Sequence, residues 1–390
     1  MIGISKLLVD KQEPSDDLRY GAAGRPGATP SAENRPIVVY NCLRRCNLRC
    51  IHCYAEATVT GEDPELLSTA EAKAMIASAA AFGSPVMLFS GGEPLLRPDV
   101  FELMRHAAGR GMRTTLSTNG TLITREVAQE LKTCNMGYVG VSLDGMEEIH
   151  DRFRRTEGSW RRALVGLQHC RAAGIRTGLR LTLTRHNFRE TGKVLDLAAA
   201  EEIPRVCLYH LVYTGRGSGL MAEDLSPAEA RETMDLIIEK TLEMHGRGRG
   251  REILTVDNHA DGPYLWLWAR RHRPELADRI LRMVGANRAR STGQGISCVS
   301  WNGDVFPDQF WRDKVLGNVR KNTFEEIWMN PQNQFLADLR RREELVTGKC
   351  GRCRFLEICR GGFRARAEAR FGDLWAEDPA CYLTEEEIAR

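Results

Sequence analysis

Three cysteines stand close together in Cys46-Asn-Leu-Arg-Cys50-Ile-His-Cys53. Iron–sulfur cubanes are normally held by four thiolates, one per iron. Three closely spaced ligands leave one iron free to bind something else, much as catalytic zinc sites keep an open position. Two other readings of the triad are open. The i, i+4, i+7 spacing is also one face of a helix with three core thiols, although Arg44, Arg45, Asn47 and Arg49 crowd the segment. A zinc site would need a fourth ligand, which Cys42 or His52 could supply. A second group, Cys350, Cys353, Cys359 and Cys381, lies near the C-terminus. Four thiols can fully ligate a cubane or a structural zinc.

Twelve cysteines in 390 residues are more than packing usually needs. No apolar run approaches the roughly 18–20 residues of a membrane span, and Met1–Leu8 runs straight into polar sequence without the apolar core of a signal peptide. The chain is therefore expected to be cytoplasmic, with reduced thiols, so its clustered cysteines point to metal or catalysis. A net charge of +3 is too mild to argue for nucleic acid and suits an acidic substrate equally well.

The elements that must position these groups can be read from periodicity. Residues 1–35 read as a mobile leader, since most of the stretch from 12 onward is Gly, Pro, Ala, Ser and charge. Order is expected to begin at Pro36-Ile-Val-Val-Tyr40, just before the first cysteines. Further strands are expected over 85–90, 113–117, 137–143, 177–183 and 206–211, with helices over 69–81, 99–110, 125–133, 160–173 and 189–201. This alternation predicts a parallel sheet with helical crossovers over residues 36–225. Six units would make an open, partial (β/α)6 barrel of the α/β class. Residues 226–290 read as a helical connection, and 291–390 as a separate cysteine-bearing domain.

Each expected strand end carries a recognisable segment. Ser90-Gly91-Gly92-Glu93-Pro94 follows the second strand, Ser117-Thr-Asn119-Gly120 the third, and Ser142-Leu-Asp144-Gly145 the fourth. Two glycines let the backbone approach a ligand closely. With the Cys-x3-Cys-x2-Cys pattern, these segments resemble the radical SAM superfamily. The resemblance implies reductive cleavage of S-adenosylmethionine (SAM) to methionine and a 5′-deoxyadenosyl radical, at a [4Fe–4S] cluster held by Cys46, Cys50 and Cys53. It assigns Gly91, Gly92, Glu93 and Pro94 to the methionine moiety, and Asn119, Ser142 and Asp144 to the SAM pocket. It also implies an electron donor such as a flavodoxin or ferredoxin.

The cysteine-rich tail resembles SPASM/Twitch extensions, which implies a second, auxiliary [4Fe–4S] cluster on Cys350, Cys353, Cys359 and Cys381. Asp308 stands where such domains usually place a further cysteine, which favours one auxiliary cluster over two. Cys42, Cys134, Cys170, Cys207 and Cys298 read as buried thiols. The tail segments Trp301–Trp311, Cys359–Ala367 and Glu377–Cys381, with Met1–Leu8 and Asp257–Gly262, resemble the haem-biosynthesis branch, and within it the NirJ family of haem d1 formation. That implies a tetrapyrrole substrate, 12,18-didecarboxysirohaem, acted on at its propionates by propionate loss or lactone formation. Deacetylation or coprohaem decarboxylation of another tetrapyrrole is the alternative, and a SPASM-type peptide modifier a further one. Nine arginines between Arg340 and Arg370 could contact a polycarboxylate. His210, Tyr213 and His259 are the candidates for proton transfer, His259 also for axial ligation.

Overall fold

The computed structural model describes residues 1–13, 15–20, 35–61, 63, 65–287 and 292–389. Among them, eleven strands form one sheet: β1 (Ile2–Gly3), β2 (Ile37–Asn41), β3 (Val86–Ser90), β4 (Arg113–Thr118), β5 (Tyr138–Ser142), β6 (Thr177–Leu183), β7 (Arg205–His210), β8 (Glu252–Val256), β9 (Ile296–Ser300), β10 (Asp304–Phe306) and β11 (Gly317–Asn318). Their order is β1-β8-β7-β6-β5-β4-β3-β2-β9-β10-β11, so the sheet is not closed on itself.

Every neighbour from β2 to β8 is parallel. Parallel pairs need long crossovers, and helices supply them. Strands covered on both faces can be apolar along their whole length, as Val-Met-Leu-Phe in β3 is. The helix Thr69–Ala81 starts where Ser68 and Glu71 cap each other's backbone N–H groups reciprocally. All strand C-terminal ends in this parallel run point to one side, which gathers the post-strand loops there.

The six expected units are present, and the structure extends them in three ways. Parts of the expected leader, Ile2–Val9 and Asp16–Tyr20, are packed. β1 pairs antiparallel with β8, and Ile4 and Leu7 of the helix Ile4–Val9 are fully buried. Residues 21–34 of that stretch lie outside the described residues. The expected helical connection over 226–290 contains β8, a seventh parallel strand with all five residues buried. The tail is continuous with the barrel, because β9 pairs parallel with β2. Composition and local period carry no signal for such long-range pairing.

An ionic hub joins the N-terminal segment to the sheet. The Glu252 carboxylate accepts from Arg19, Arg176 and Arg205. Burial opposes its ionisation, but Arg19 and Arg205 outweigh it and hold the carboxyl below the usual range. Removing one partner from a buried ionic network leaves the others uncompensated. Glu252→Ala is expected to cost about 3 kcal/mol, read as a lowered urea midpoint at neutral pH. Because the folded carboxyl is held low, the difference from wild type should shrink as pH falls through that depressed value.

Candidate iron–sulfur and cofactor site

The loop after β2 is held from three directions. On one side, Gly92 N–H donates to Leu43 O at 2.7 Å and Glu93 N–H to Arg45 O at 2.8 Å. A Cβ on Gly91, whose φ is +128°, would lie 2.4 Å from Leu43 O, and one on Gly92 2.0 Å from Arg45 O. The two glycines are thus required by the cysteine loop itself. On the second side, Arg216 donates through its backbone to Cys53 O at 3.0 Å, and through its side chain to Cys50 O at 2.8 Å and Ala57 O at 3.0 Å. Gly215, at φ +55°, lets that loop lie against the Cys53 and Tyr54 carbonyls. On the third, Arg154 Nη1 donates to Cys50 Sγ at 3.3 Å while Asp144 pairs with the same guanidinium.

The sulfurs face hydrogen-bond donors. Leu48 N–H approaches Cys46 Sγ at 3.4 Å, Ala57 N–H approaches Cys53 Sγ at 3.5 Å, and Asn119 Nδ2 lies 3.8 Å from Cys46 Sγ. Burial pushes the Cys46 thiol up to about 12 and raises Cys50 as well. A thiolate ligand set in such a place is stabilised by the metal it binds. N–H groups aimed at sulfur are also how proteins tune cluster potentials. The donor set and its hydrogen bonds therefore fit a [4Fe–4S] cluster.

One cavity opens in front of these sulfurs. Its walls include Cys46, Cys50, Cys53, Gly91, Gly92, Asn119, Ser142 and His210. Glu93, Pro94 and Asp144 are not on its surface. Glu93 is fully buried and braces two strand-end loops, accepting from Thr118 Oγ1 at 2.7 Å and Asn119 N–H at 2.8 Å; burial raises its pKa. Asp144 accepts from Thr182 N–H at 2.9 Å besides holding Arg154. Both carboxylates position the pocket's lining from behind.

Of the three proton-transfer candidates, only His210 reaches the cavity. Its Nε2 lies 3.1 Å from Asp261 Oδ2, and Tyr382 donates to the other carboxylate oxygen at 2.7 Å. Burial alone would lower the His210 pKa, and Asp261 overrides it, leaving it raised. Its pairing then stabilises the fold below the unfolded imidazole's pKa and is lost as pH rises through the folded value. His210→Gln should cost about 1–3 kcal/mol near pH 5.5 and less near pH 9, checked by unfolding at both. Tyr213 instead donates to Asp224 at 2.6 Å beside a separate, more open pocket with Arg185 and Arg370. His259 is buried away from the cavity wall, and burial lowers it to about 3. Neither geometry supports the role expected of it.

The tail arginines are also engaged elsewhere. Arg366 is paired with Asp378 at 2.8 Å, Arg360 with Glu343, and Arg342 and Arg364 bind backbone carbonyls. None of the nine between Arg340 and Arg370 lines the cavity. The cavity's cations are Arg154, Arg180 and Arg216, all from the barrel and its loops, with Asp257, Gln309 and Phe310 beside them. An arginine inside the apolar strand Thr-Gly-Leu-Arg-Leu-Thr-Leu was the available sequence signal for Arg180.

The four tail cysteines converge. Cys350, Cys353 and Cys381 all lie near enough to Cys359 to oppose its ionisation, after burial, which raises it most. Asp378 N–H approaches Cys350 Sγ at 3.5 Å and Phe355 N–H approaches Cys353 Sγ at 3.3 Å. The turn after Cys359 carries three successive positive-φ residues, Arg360, Gly361 and Gly362, and a Cβ on Gly362 would meet Asp378 Oδ2 at 2.3 Å. Asp308 lies on the turn after β10. Its carboxylate accepts from Thr292, Phe310 and Trp311, closing the turn after β10. Cys298 is buried against Val39 and Phe306.

Comparison with known proteins agrees with this geometry. Residues 40–198 match the family model of the radical SAM superfamily, and residues 292–354 match that of the SPASM iron–sulfur cluster-binding domain. A solved structure, native anSMEcpe with bound AdoMet, superimposes with a TM-score of 0.70 at 20% identity, over 90% of this chain and 95% of that one. Fold and site define a radical SAM enzyme with a SAM-binding [4Fe–4S] cluster and an auxiliary iron–sulfur domain. The Fe-coproporphyrin III synthase of Methanosarcina barkeri is 49% identical over 100% of this chain and 99% of its own. The pre-heme d1 synthase of Dinoroseobacter shibae is 39% identical over 90% and 87%. The chain belongs to the haem-biosynthesis branch of the radical SAM superfamily.

Proposed function

We propose that this enzyme removes acetate side chains from 12,18-didecarboxysirohaem to give Fe-coproporphyrin III. The observation that carries the reading is the 49% identity with an Fe-coproporphyrin III synthase along the full length of both chains. The pre-heme d1 synthase is less similar and matches less of the chain. The reading therefore moves from haem d1 formation and its propionate chemistry to the coprohaem arm. A synthase named for coprohaem forms it, which favours deacetylation over the decarboxylation that would consume coprohaem.

When bound, the reduced cluster and SAM supply a 5′-deoxyadenosyl radical that abstracts hydrogen. The chain's own residues set the frame around that event. Gly91 and Gly92 hold the cysteine loop at a fixed distance from the strand ends. Asn119 and Ser142 offer polar groups to SAM on the same cavity wall. Leu88, Leu211, Val212 and Phe310 give the cavity apolar surface suited to a flat macrocycle. Gln309 and Phe310 come from the tail, so the auxiliary domain shapes the reaction chamber. An electron carrier such as a flavodoxin or ferredoxin in the cytoplasm would supply the reducing electrons.

The test is to incubate the anaerobically reconstituted, reduced enzyme and SAM with 12,18-didecarboxysirohaem and record the product mass. Loss of acetate groups with retained propionates, coeluting with authentic Fe-coproporphyrin III, is expected. Modified propionates would return the enzyme to the haem d1 reading. Turnover of Fe-coproporphyrin III alone would make it a decarboxylase.

A further inference from the structure

The three cavity-lining arginines differ in what they hold. Arg154 is committed to Asp144 and Cys50, and Arg216 to the carbonyls of Cys50 and Ala57. The Arg180 side chain makes no hydrogen bond or ion pair among the described residues. Its guanidinium lies over the ring of Tyr209, 4.8 Å from the centroid. The space for it is built in. A Cβ on Gly140 of the neighbouring strand would stand 2.7 Å from Arg180 Cδ, so glycine there lets the arginine stem cross β5. Cavity neighbours on the same wall are Ser142, Thr182 and Tyr209, whose hydroxyls are neutral acceptors or donors. The cavity's free carboxylate, Asp257, has its Oδ2 without a hydrogen-bond partner and forms no ion pair with Arg180.

A guanidinium stays protonated throughout the physiological range and offers a planar fork of donors matched to carboxylates. Held in a partly desolvated wall with only a ring face for company, it is an incomplete ion pair. From this geometry we infer that Arg180 is the specificity residue of the cavity, binding a side-chain carboxylate of the tetrapyrrole and so orienting the macrocycle before the radical. The inference rests on the tetrapyrrole reading above. SAM carries the same chemical group, but Gly91, Gly92 and Asn119 follow β3 and β4, whereas Arg180 stands on β6 with its ring partner on β7, and Ser142 at the end of β5 lies between the two sets. Arg180 therefore serves the second occupant of the cavity.

Wild-type, Arg180→Gln and Arg180→Lys proteins, reconstituted full-length and matched for iron content, are titrated with Fe-coproporphyrin III, with its tetramethyl ester, and separately with SAM. Pigment binding is followed in the Soret band. Arg180→Gln should weaken the tetra-acid about tenfold or more, with Arg180→Lys between it and wild type. Ester and SAM affinities should change less than about twofold, since neither engages the fork. Gly140→Ala, which pushes the arginine stem aside without removing charge, should weaken the tetra-acid in the same selective way. Equal losses for acid and ester, or unchanged acid binding, would overturn the assignment while leaving the tetrapyrrole reading intact. Loss of SAM affinity instead would give the guanidinium to SAM and also overturn it. A wild-type protein that binds neither pigment would overturn the substrate reading itself.

Discussion

Cys46→Ala is expected to abolish reductive SAM cleavage while leaving the protein folded. The loop around Cys46 is held by backbone bonds that the substitution does not touch, including Cys46 N–H to Thr58 O at 2.8 Å. What goes is a sulfur to which Leu48 N–H and Asn119 already point. A cubane missing one of three protein thiolates has no stable seat. The reconstituted variant should hold roughly half the wild-type iron, that of the auxiliary cluster. With dithionite and SAM it should form no 5′-deoxyadenosine. Continued formation at a rate near wild type would remove the triad from the chemistry.

Gly92→Ala should be nearly as damaging by an entirely different route. The added methyl would sit 2.0 Å from Arg45 O, a backbone atom, so relief requires moving the cysteine loop itself. That movement breaks the Gly92 and Glu93 bonds to Leu43 and Arg45. The expected cost is about 2–4 kcal/mol, with SAM cleavage down on the order of a hundredfold because the cluster iron is misplaced. Gly109→Ala is the control. Its Cβ would meet nothing within 4 Å, and alanine is the better helix former by about 1 kcal/mol. If Gly92→Ala proves as benign as Gly109→Ala in both urea midpoint and SAM cleavage, the close packing is not what fixes the loop.

Much of the architecture was legible because the signals are local. Strand ends near Ser90, Thr118 and Ser142 carry their own turn residues, and apolar runs between helical periods give the parallel barrel. The triad was readable because cysteine spacing is itself chemistry. What escaped was non-local. β8 is a short apolar run inside a helical region, and only its pairing with β7 and β1 makes it part of the sheet. The Gly215–Arg216 clamp is an ordinary turn in sequence and meaningful only against Cys53. Glu93 and Asp144 are buried behind the cavity wall, a placement that residue type alone does not distinguish from a pocket-facing carboxylate. The tail arginines read as carboxylate receptors in bulk, yet none of them lines the cavity. Arg180, a single charge in an apolar strand, stands on the cavity wall.

The pairing of β2 with β9 has a consequence for how the enzyme comes into being. β2 leads directly into the cysteine loop, and one of its two flanks is closed by a strand from the far end of the chain, with Asn41 and Cys298 joined across 257 residues. Closing so long a loop is entropically costly and slow. On the ribosome, β3 to β8 emerge and can assemble while β2 still has an unpaired edge. The cradle for the first cluster is therefore completed only after β9 has been made. Cluster delivery then follows the synthesis of β9, which locks the strand that leads into the thiols.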